Sequence, residues 1–166
     1  SVSRVGGNAQ IKAMKQVAGR LKLEMAQFRE VQAFSQFASD LDIATQRQLR
    51  RGQRLTELLK QDLATPYDVV DQIIIIYSGT QGTLDEIEND QVKAFEQGLL
   101  RFVKDKYPDA VESIRANREL KPEADDALQR AYKEYLAEFK STGPKAQTQY
   151  EVEPPVAQAI QEAVKA

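Results

Sequence analysis

The sequence predicts an all-α fold, an antiparallel multi-helix bundle that follows a short leading extended segment. Apolar residues recur at steps of three and four along most of the chain, which is the spacing of amphipathic helices. Residues that favour helix starts precede these stretches, and no pair of alternating segments offers the partners that a sheet needs. With 166 residues, 42% of them hydrophobic and 29% charged, the chain is long enough for one domain with a buried core.

The first two predicted helices form a hairpin. Asn8 is a good N-cap, and the helix after it carries an apolar stripe and ends near Ser39. The stripe consists of Ile11, Met14, Ala18, Leu21, Met25, Phe28, Val31 and Phe34. Ser39-Asp40-Leu41-Asp42 then offers capping side chains in place of stripe residues, so a turn is expected there and a second helix over residues 43–60.

The third helix is the element on which two signals disagree. Thr65-Pro66-Tyr67-Asp68 is typical of an N-cap, a proline at the first helical position and an acidic third position. Residues 69–77 have the β-branched composition of a strand. A lone strand cannot pair its own backbone groups, so we expect a buried helix that Gly79 and Gly82 end.

Three further helical segments complete the predicted bundle. One runs from about Asp90 toward Pro108, a short one places Val111 and Ile114 inward, and the last starts at Pro122 and stops before Gly143. Residues 141–155 lack an apolar period and predict a flexible tether, after which Val156, Ile160 and Val164 could form a small helix. The predicted division is an extended segment over 1–7, the bundle over 8–140 and a tail over 141–166.

Composition excludes several classes of function. The formal charge of -2 gives no overall field for a polyanion such as nucleic acid. The chain has no Cys and no His, which removes thiolate chemistry and makes a free-standing hydrolase with ordinary acid-base groups improbable. The longest apolar run, Ile73 to Tyr77, is too short to cross a bilayer, and the N-terminus has no signal-peptide pattern. We therefore expect no membrane-spanning segment and no metal site.

Two charged clusters are better explained without a ligand. The acidic stretch from Asp85 to Glu96 has the length of a calcium loop, but Asp90 occupies the position where that loop needs glycine. A solvated helix cap is the favoured interpretation. On the second helix a basic face without interleaved aromatic residues favours solvent or a protein partner over nucleic acid. Its residues are Arg47, Arg50, Arg51 and Arg54.

The segment around Arg4 is more informative. Residues 1–4 alternate like a strand that has no partner in this sequence, which we interpret as the last strand of an upstream domain. Gly6-Gly7 then provides a permissive turn. An arginine at such a position is placed on a rigid element beside a permissive turn, although the pattern alone favours an ordinary surface arginine over a functional one.

Several long stretches resemble the alpha subunit of F-type ATP synthase, where its nucleotide-binding domain meets its C-terminal domain. The first reads Ser-Val-Ser-Arg-Val-Gly-Gly-Asn-Ala-Gln-Ile-Lys-Ala-Met-Lys-Gln-Val-Ala-Gly from Ser1 to Gly19. The others are residues 23–30, Ala33-Phe34, 37–42, Arg51-Gly52, 55–61 and 76–79. The resemblance covers roughly the first 140 residues, and ordered matches of this length are far more specific than a short motif.

The resemblance implies roles for four residues. Arg4 corresponds to the arginine finger that alpha contributes to the catalytic nucleotide of a neighbouring beta subunit. Gln61 matches the first of two glutamines that line the adenine pocket of alpha's own non-catalytic site, while Leu63 stands where the second usually is. Asp40 and Asp42 lie at a hairpin tip that faces the central rotor, a role compatible with helix capping.

The resemblance also implies a setting. The expected partners are the beta subunits of an alternating ring, the central-stalk gamma subunit and the peripheral stalk, at the periphery of an energy-coupling membrane. That membrane would be a bacterial plasma membrane, on its cytoplasmic face, or a thylakoid or mitochondrial equivalent. ATP or ADP with Mg²⁺ would be bound by the full subunit, because the phosphate-binding loop motif does not occur in these residues. This piece should therefore be inactive by itself. The alternative is a stand-alone helical adaptor that grips a partner helix.

Overall fold

The structure is a computed structural model that describes residues 3–35, 42–61 and 65–142. Within these ranges every regular element is helical, which confirms the predicted all-α bundle. The α-helices are α1 (Ser3–Ala9), α2 (Lys12–Ser35), α3 (Ile43–Leu58), α4 (Val69–Thr80), α5 (Val92–Lys106), α6 (Pro108–Asn117) and α7 (Pro122–Thr142). Two short 3₁₀ turns, Thr83–Glu86 and Asn89–Gln91, connect α4 to α5.

Helix α4 lies at the centre of the bundle. Nine of its twelve residues are buried, and α2, α3, α5, α6 and α7 all pack against it. Its strand-like composition therefore reflects burial on all sides rather than a sheet, and the prediction of a buried helix is confirmed. The predicted cap at Thr65 is wrong. Asp68 is the N-cap instead, and its side chain accepts a hydrogen bond from the Val70 N–H at 2.9 Å.

The N-terminus differs from the prediction. The segment expected to be extended is helical over Ser3–Ala9, and Asn8 lies inside that helix rather than capping α2. No strand occurs in the described ranges to pair with an extended segment, so a helical turn is what lets this backbone satisfy its own hydrogen bonds. Helix α2 begins only at Lys12, and an acceptor from the α6–α7 connection serves its first turn: the Ala13 N–H donates to the Arg118 carbonyl at 2.9 Å.

Helices α2 and α3 form the predicted antiparallel hairpin. Glu24 lies beside Arg51, and Gln27 receives a hydrogen bond from the Gln48 amide at 3.3 Å. Asp42 caps α3 as predicted, while the rest of the predicted turn, Ser39-Asp40-Leu41, lies outside the described residues. Helix α3 ends at Leu58, two residues before the predicted end.

Helices α5 and α7 enclose an aromatic cluster beside α4. The ring of Phe95 lies 5.0 Å from that of Tyr135 and 5.2 Å from that of Phe139, and Phe102 lies 5.3 Å from Tyr135. All four side chains are buried. The predicted start at Pro122 and the end before Gly143 agree with α7, and Val111 and Ile114 are buried on α6 as predicted. The tail predicted beyond residue 142 lies outside the described residues.

Candidate functional site

Arg4 lies on the surface of α1. Its side chain is exposed, and among the described residues it has no ion pair. The neighbouring Val5 is 69% exposed, and a side chain added at Gly7 would meet no atom within 4 Å. Nothing in this part of the protein therefore covers the guanidinium, and it is available to a group on another molecule.

Gln61 follows α3 on an exposed connection. Its side-chain amide donates to the Thr65 carbonyl and so links the two described ends of the α3–α4 loop. Leu63, the residue at the altered second position, lies outside the described residues. The ammonium group of Lys93 holds both sides of this loop, because it donates to the Lys60 carbonyl at 3.4 Å and to the Tyr67 hydroxyl at 3.3 Å.

A buried carboxylate stands behind this loop. Glu96 is 1% exposed, and its Oε2 lies 3.5 Å from Lys93 Nζ. Burial and the neighbouring Glu96 carboxylate raise the pKa of Tyr67 above its usual value. Burial by itself would lower the pKa of Lys93, but the charge of Glu96 and the bond to Tyr67 outweigh it and raise that pKa. Lys93 and Glu96 thus form a close pair beside the residues that flank Gln61.

The four arginines of α3 do not form one basic face. Arg47 and Arg50 are exposed, as a solvated face requires. Arg54 is 7% exposed and its Nε–H donates to the Ile87 carbonyl. Arg51 donates to the Thr80 carbonyl at 3.1 Å. The prediction of a single surface is therefore wrong for two of its members, because they bind the connection between α4 and α5.

Arg51 also lies between two carboxylates. Its Nε is 3.6 Å from Glu24 and 3.7 Å from Asp85. Burial raises the pKa of Asp85 above its usual value, and the charge of Arg51 opposes that shift. The nearby Glu86 pairs with Lys140 instead, and no group of metal-binding residues is found in the described ranges. The acidic stretch serves to tie α2, α3 and α7 to the α4–α5 connection.

Asp42 lies at the opposite end of α3 from Gln61. Its two carboxylate oxygens accept from the Thr45 N–H and the Thr45 hydroxyl, each at 2.8 Å. These bonds from the backbone and hydroxyl of Thr45 lower the pKa of Asp42. Next to it Ile43 is 76% exposed. Asp40, the second residue predicted to face the rotor, lies outside the described residues.

The hairpin separates the predicted functional residues into two groups. Helix α3 has sixteen residues, so Asp42 and Gln61 are roughly 24 Å apart along its axis. Because α2 and α3 run antiparallel, the start of α2, next to Arg4, lies toward the same end as Gln61. The structure thus places Gln61 and the start of α2, which follows Arg4 by eight residues, at one end of the hairpin and the capping carboxylate at the other.

Sequence reasoning did not identify Lys93, Glu96, Arg51 and Arg54 as residues that position these ends. Only Arg54 carried a signal, because it directly precedes Leu55 and lies one turn before Leu58, both buried.

In the described residues no helix is long and apolar enough to cross a membrane.

A protein-family model described as the ATP synthase alpha/beta chain, C terminal domain, matches residues 10–135 of this protein. That range covers about three quarters of the 166 residues and includes α2 to α6 and most of α7. It begins after Arg4 and includes both Asp42 and Gln61.

Proposed function

Because the protein belongs to the family of C-terminal domains of ATP synthase alpha and beta subunits, we propose that it is the C-terminal domain of a regulatory, non-catalytic alpha subunit. In that role it supports ATP synthesis driven by a proton or sodium gradient in the catalytic head of the complex. The choice of alpha over beta rests on the ordered sequence resemblance from Ser1 to Gly19 and through the two hairpin helices. The observation that carries the proposal is the separation of Gln61 and the start of α2 from Asp42, at opposite ends of the hairpin.

Arg4 acts in this proposal as an arginine finger at the catalytic site of a neighbouring beta subunit. A guanidinium is permanently charged and planar, so it can donate two hydrogen bonds to phosphate oxygens and stabilise the charge that develops during phosphoryl transfer. The exposure of Arg4 and the open space at Gly7 support this role, since the guanidinium does not first have to leave a partner among the described residues.

Gln61 contacts adenine at the non-catalytic site of the same subunit. ATP or ADP with Mg²⁺ is held mainly by residues outside this sequence, and Gln61 adds one amide. The bond from Gln61 to the Thr65 carbonyl and the Lys93 contacts support a preformed position of Gln61, because a ligand then does not have to order that residue.

The far end of the hairpin contacts the central-stalk gamma subunit. Asp42 with its neighbour Asp40 supplies negative charge, and Ile43 supplies exposed apolar surface. A basic rotor surface would be attracted by the first and packed by the second. The remaining partners are the beta subunits and the peripheral stalk, with the whole head peripheral to its energy-coupling membrane.

The test of the catalytic role is Arg4→Lys in the assembled complex, with Arg50→Lys as a matched change of an exposed arginine on α3. Lysine keeps the charge and loses the planar fork, so multisite ATP hydrolysis should fall by orders of magnitude while nucleotide binding largely survives. Arg50→Lys should leave turnover unchanged. Near-normal turnover of Arg4→Lys would refute the finger assignment.

The coding sequence upstream of Ser1 separates this proposal from a stand-alone adaptor. The proposal requires a nucleotide-binding domain with a phosphate-binding loop, read in the same frame. A start codon directly before Ser1, or an unrelated domain, would support the adaptor.

A further inference from the structure

The first turn of α2 is held by the connection between α6 and α7. The connection comprises Arg118, Glu119, Leu120 and Lys121, more than a hundred residues further along the sequence. The first three of these residues contact α2. The Ala13 N–H donates to the Arg118 carbonyl at 2.9 Å, and Lys12 Nζ lies 2.5 Å from a carboxylate oxygen of Glu119.

Gln16 makes the most specific of these contacts. Its side-chain amide donates to the Leu120 carbonyl at 3.3 Å, and its side-chain oxygen accepts from the Leu120 N–H at 2.9 Å. The Gln16 side chain thus exchanges two hydrogen bonds with one backbone residue, as a hydrogen-bonded residue pair in an antiparallel sheet does. This fixes both the distance and the orientation of the two segments. An ordinary surface contact would use one bond.

Two further features show that the fold requires the contact between Ala13 and Arg118. Ala13 is completely buried, so its N–H cannot turn to water and needs the carbonyl that Arg118 supplies. Arg118 itself has φ 53°, and among the described residues it is the only one other than glycine with a positive φ. L-residues rarely adopt this left-handed conformation, and here it closes α6 while aiming the carbonyl at α2.

We infer that the α6–α7 connection, through Gln16 and the first turn of α2, is a positioning device for Arg4. The inference rests on the proposed role of Arg4 as a finger. Arg4 lies on α1, and only Gln10 and Ile11 separate the end of α1 from the start of α2 at Lys12. The Gln10 N–H also donates to the Gly7 carbonyl at 3.4 Å, so this junction is short and hydrogen-bonded. The place from which Arg4 reaches out is therefore set by where α2 starts. Gln16 is a positioning residue, since it acts only through Arg4.

The experiment is a double-mutant cycle in the assembled complex with the full-length subunit. Gln16→Ala removes both bonds to Leu120, and because Gln16 is exposed the variant should still fold. A finger held less firmly lowers the turnover number, so multisite hydrolysis should fall about three- to tenfold with little change in KM. In the Arg4→Lys background Gln16→Ala should cause no further loss, because the group that it positions is already gone.

Gln27→Ala is the matched control. Gln27 is an exposed glutamine on the same helix, and it bonds Gln48 across the hairpin rather than the α6–α7 connection. Its turnover should stay within about twofold of the parent. Equal turnover of Gln16→Ala and Gln27→Ala, with Arg4→Lys severely impaired, would overturn the positioning role and leave the finger intact. Losses that multiply in the double variant would overturn it as well, because they would show that Gln16 acts independently of Arg4. Full activity of Arg4→Lys would overturn both.

Discussion

The half of the α2–α3 hairpin that includes Asp42, the far hairpin, and the rest of the bundle around α4, the body, are stabilised in opposite ways. In α4 nine of twelve residues are buried, whereas α3 has four buried residues among sixteen, all in its second half. On α2 none of residues 29–33 is buried. The body is therefore held by apolar packing, and the far hairpin is held by its own caps and by contacts between its two helices. A surface that the protein does not need for its own core is free to contact a partner.

The largest contrast should come from cutting one side chain in each region. Phe95→Ala removes a completely buried ring from the aromatic cluster and should cost about 3–5 kcal/mol of unfolding free energy. Ile43→Ala, at a residue that is 76% exposed, should cost less than about 0.5 kcal/mol. Urea denaturation of the 166-residue protein, followed by circular dichroism, measures both. Similar losses would mean that the far hairpin is packed as tightly as the body.

Two glycines of the hairpin differ in how closely they are packed. A methyl group at Gly52 would overlap the Phe28 ring, whereas one at Gly19 would meet nothing within 4 Å. Gly52→Ala should therefore destabilise the protein by about 1–3 kcal/mol. Gly19→Ala should stabilise it by about 0.5–1 kcal/mol, because alanine is the better helix former. The same denaturation experiment checks both signs, and a stabilised Gly52→Ala would show that α2 and α3 can separate at no cost.

Periodicity was enough to predict the helices of both regions. Each helix buries one stripe or, in α4, nearly its whole circumference, and a stripe is visible in the sequence whether or not its partner is known. The absence of a second strand correctly decided α4. The conformation of the N-terminal segment could not be predicted in this way. An extended segment needs a neighbouring strand to pair with, whereas a short helix satisfies its own backbone hydrogen bonds.

The polar contacts that position the ends were beyond sequence reasoning. Arg54 bonds the Ile87 carbonyl and Gln16 bonds Leu120, so each contact joins elements that become neighbours only after the bundle has formed. Glu96 is buried because Lys93 and Tyr67 meet it there, and nothing in its local sequence distinguishes it from a solvated glutamate. Polar side chains that join elements distant in sequence are identified from the three-dimensional structure.

Alkaline pH should loosen the body before it affects the hairpin. The Tyr77 hydroxyl on α4 donates to Asp125 on α7, and burial together with this bond raises its pKa to about 12 from an ordinary value of 10.0. A raised tyrosine pKa means that the unfolded state loses its proton first, so stability is intact below pH 10 and falls as the pH rises toward 12. The urea midpoint, measured at pH values from about 9 to about 11, should fall less steeply in Tyr77→Phe. An unchanged slope would contradict the shift.

The smallest effect should come from the cap of α3, and it separates the two roles of Asp42. Asp42→Ala loses the bonds to Thr45 and should lower the melting temperature by about 2–4 °C. Asparagine is an equally good N-cap, so Asp42→Asn should keep the melting temperature. Because its pKa is lowered, the contribution of the Asp42 carboxylate is present above its usual pKa and is lost as the pH falls through the lowered value.

The same pair of variants then tests the partner surface in the assembled complex. If the charge of Asp42 contacts a basic rotor, Asp42→Asn should alter the salt dependence of rotation-coupled ATP synthesis although the helix is fully capped. If the residue only caps, Asp42→Asn should match the parent and only Asp42→Ala should differ. A partner that contacts the far hairpin by charge would thus be detected without any loss of folded structure, because that region contributes little to the core.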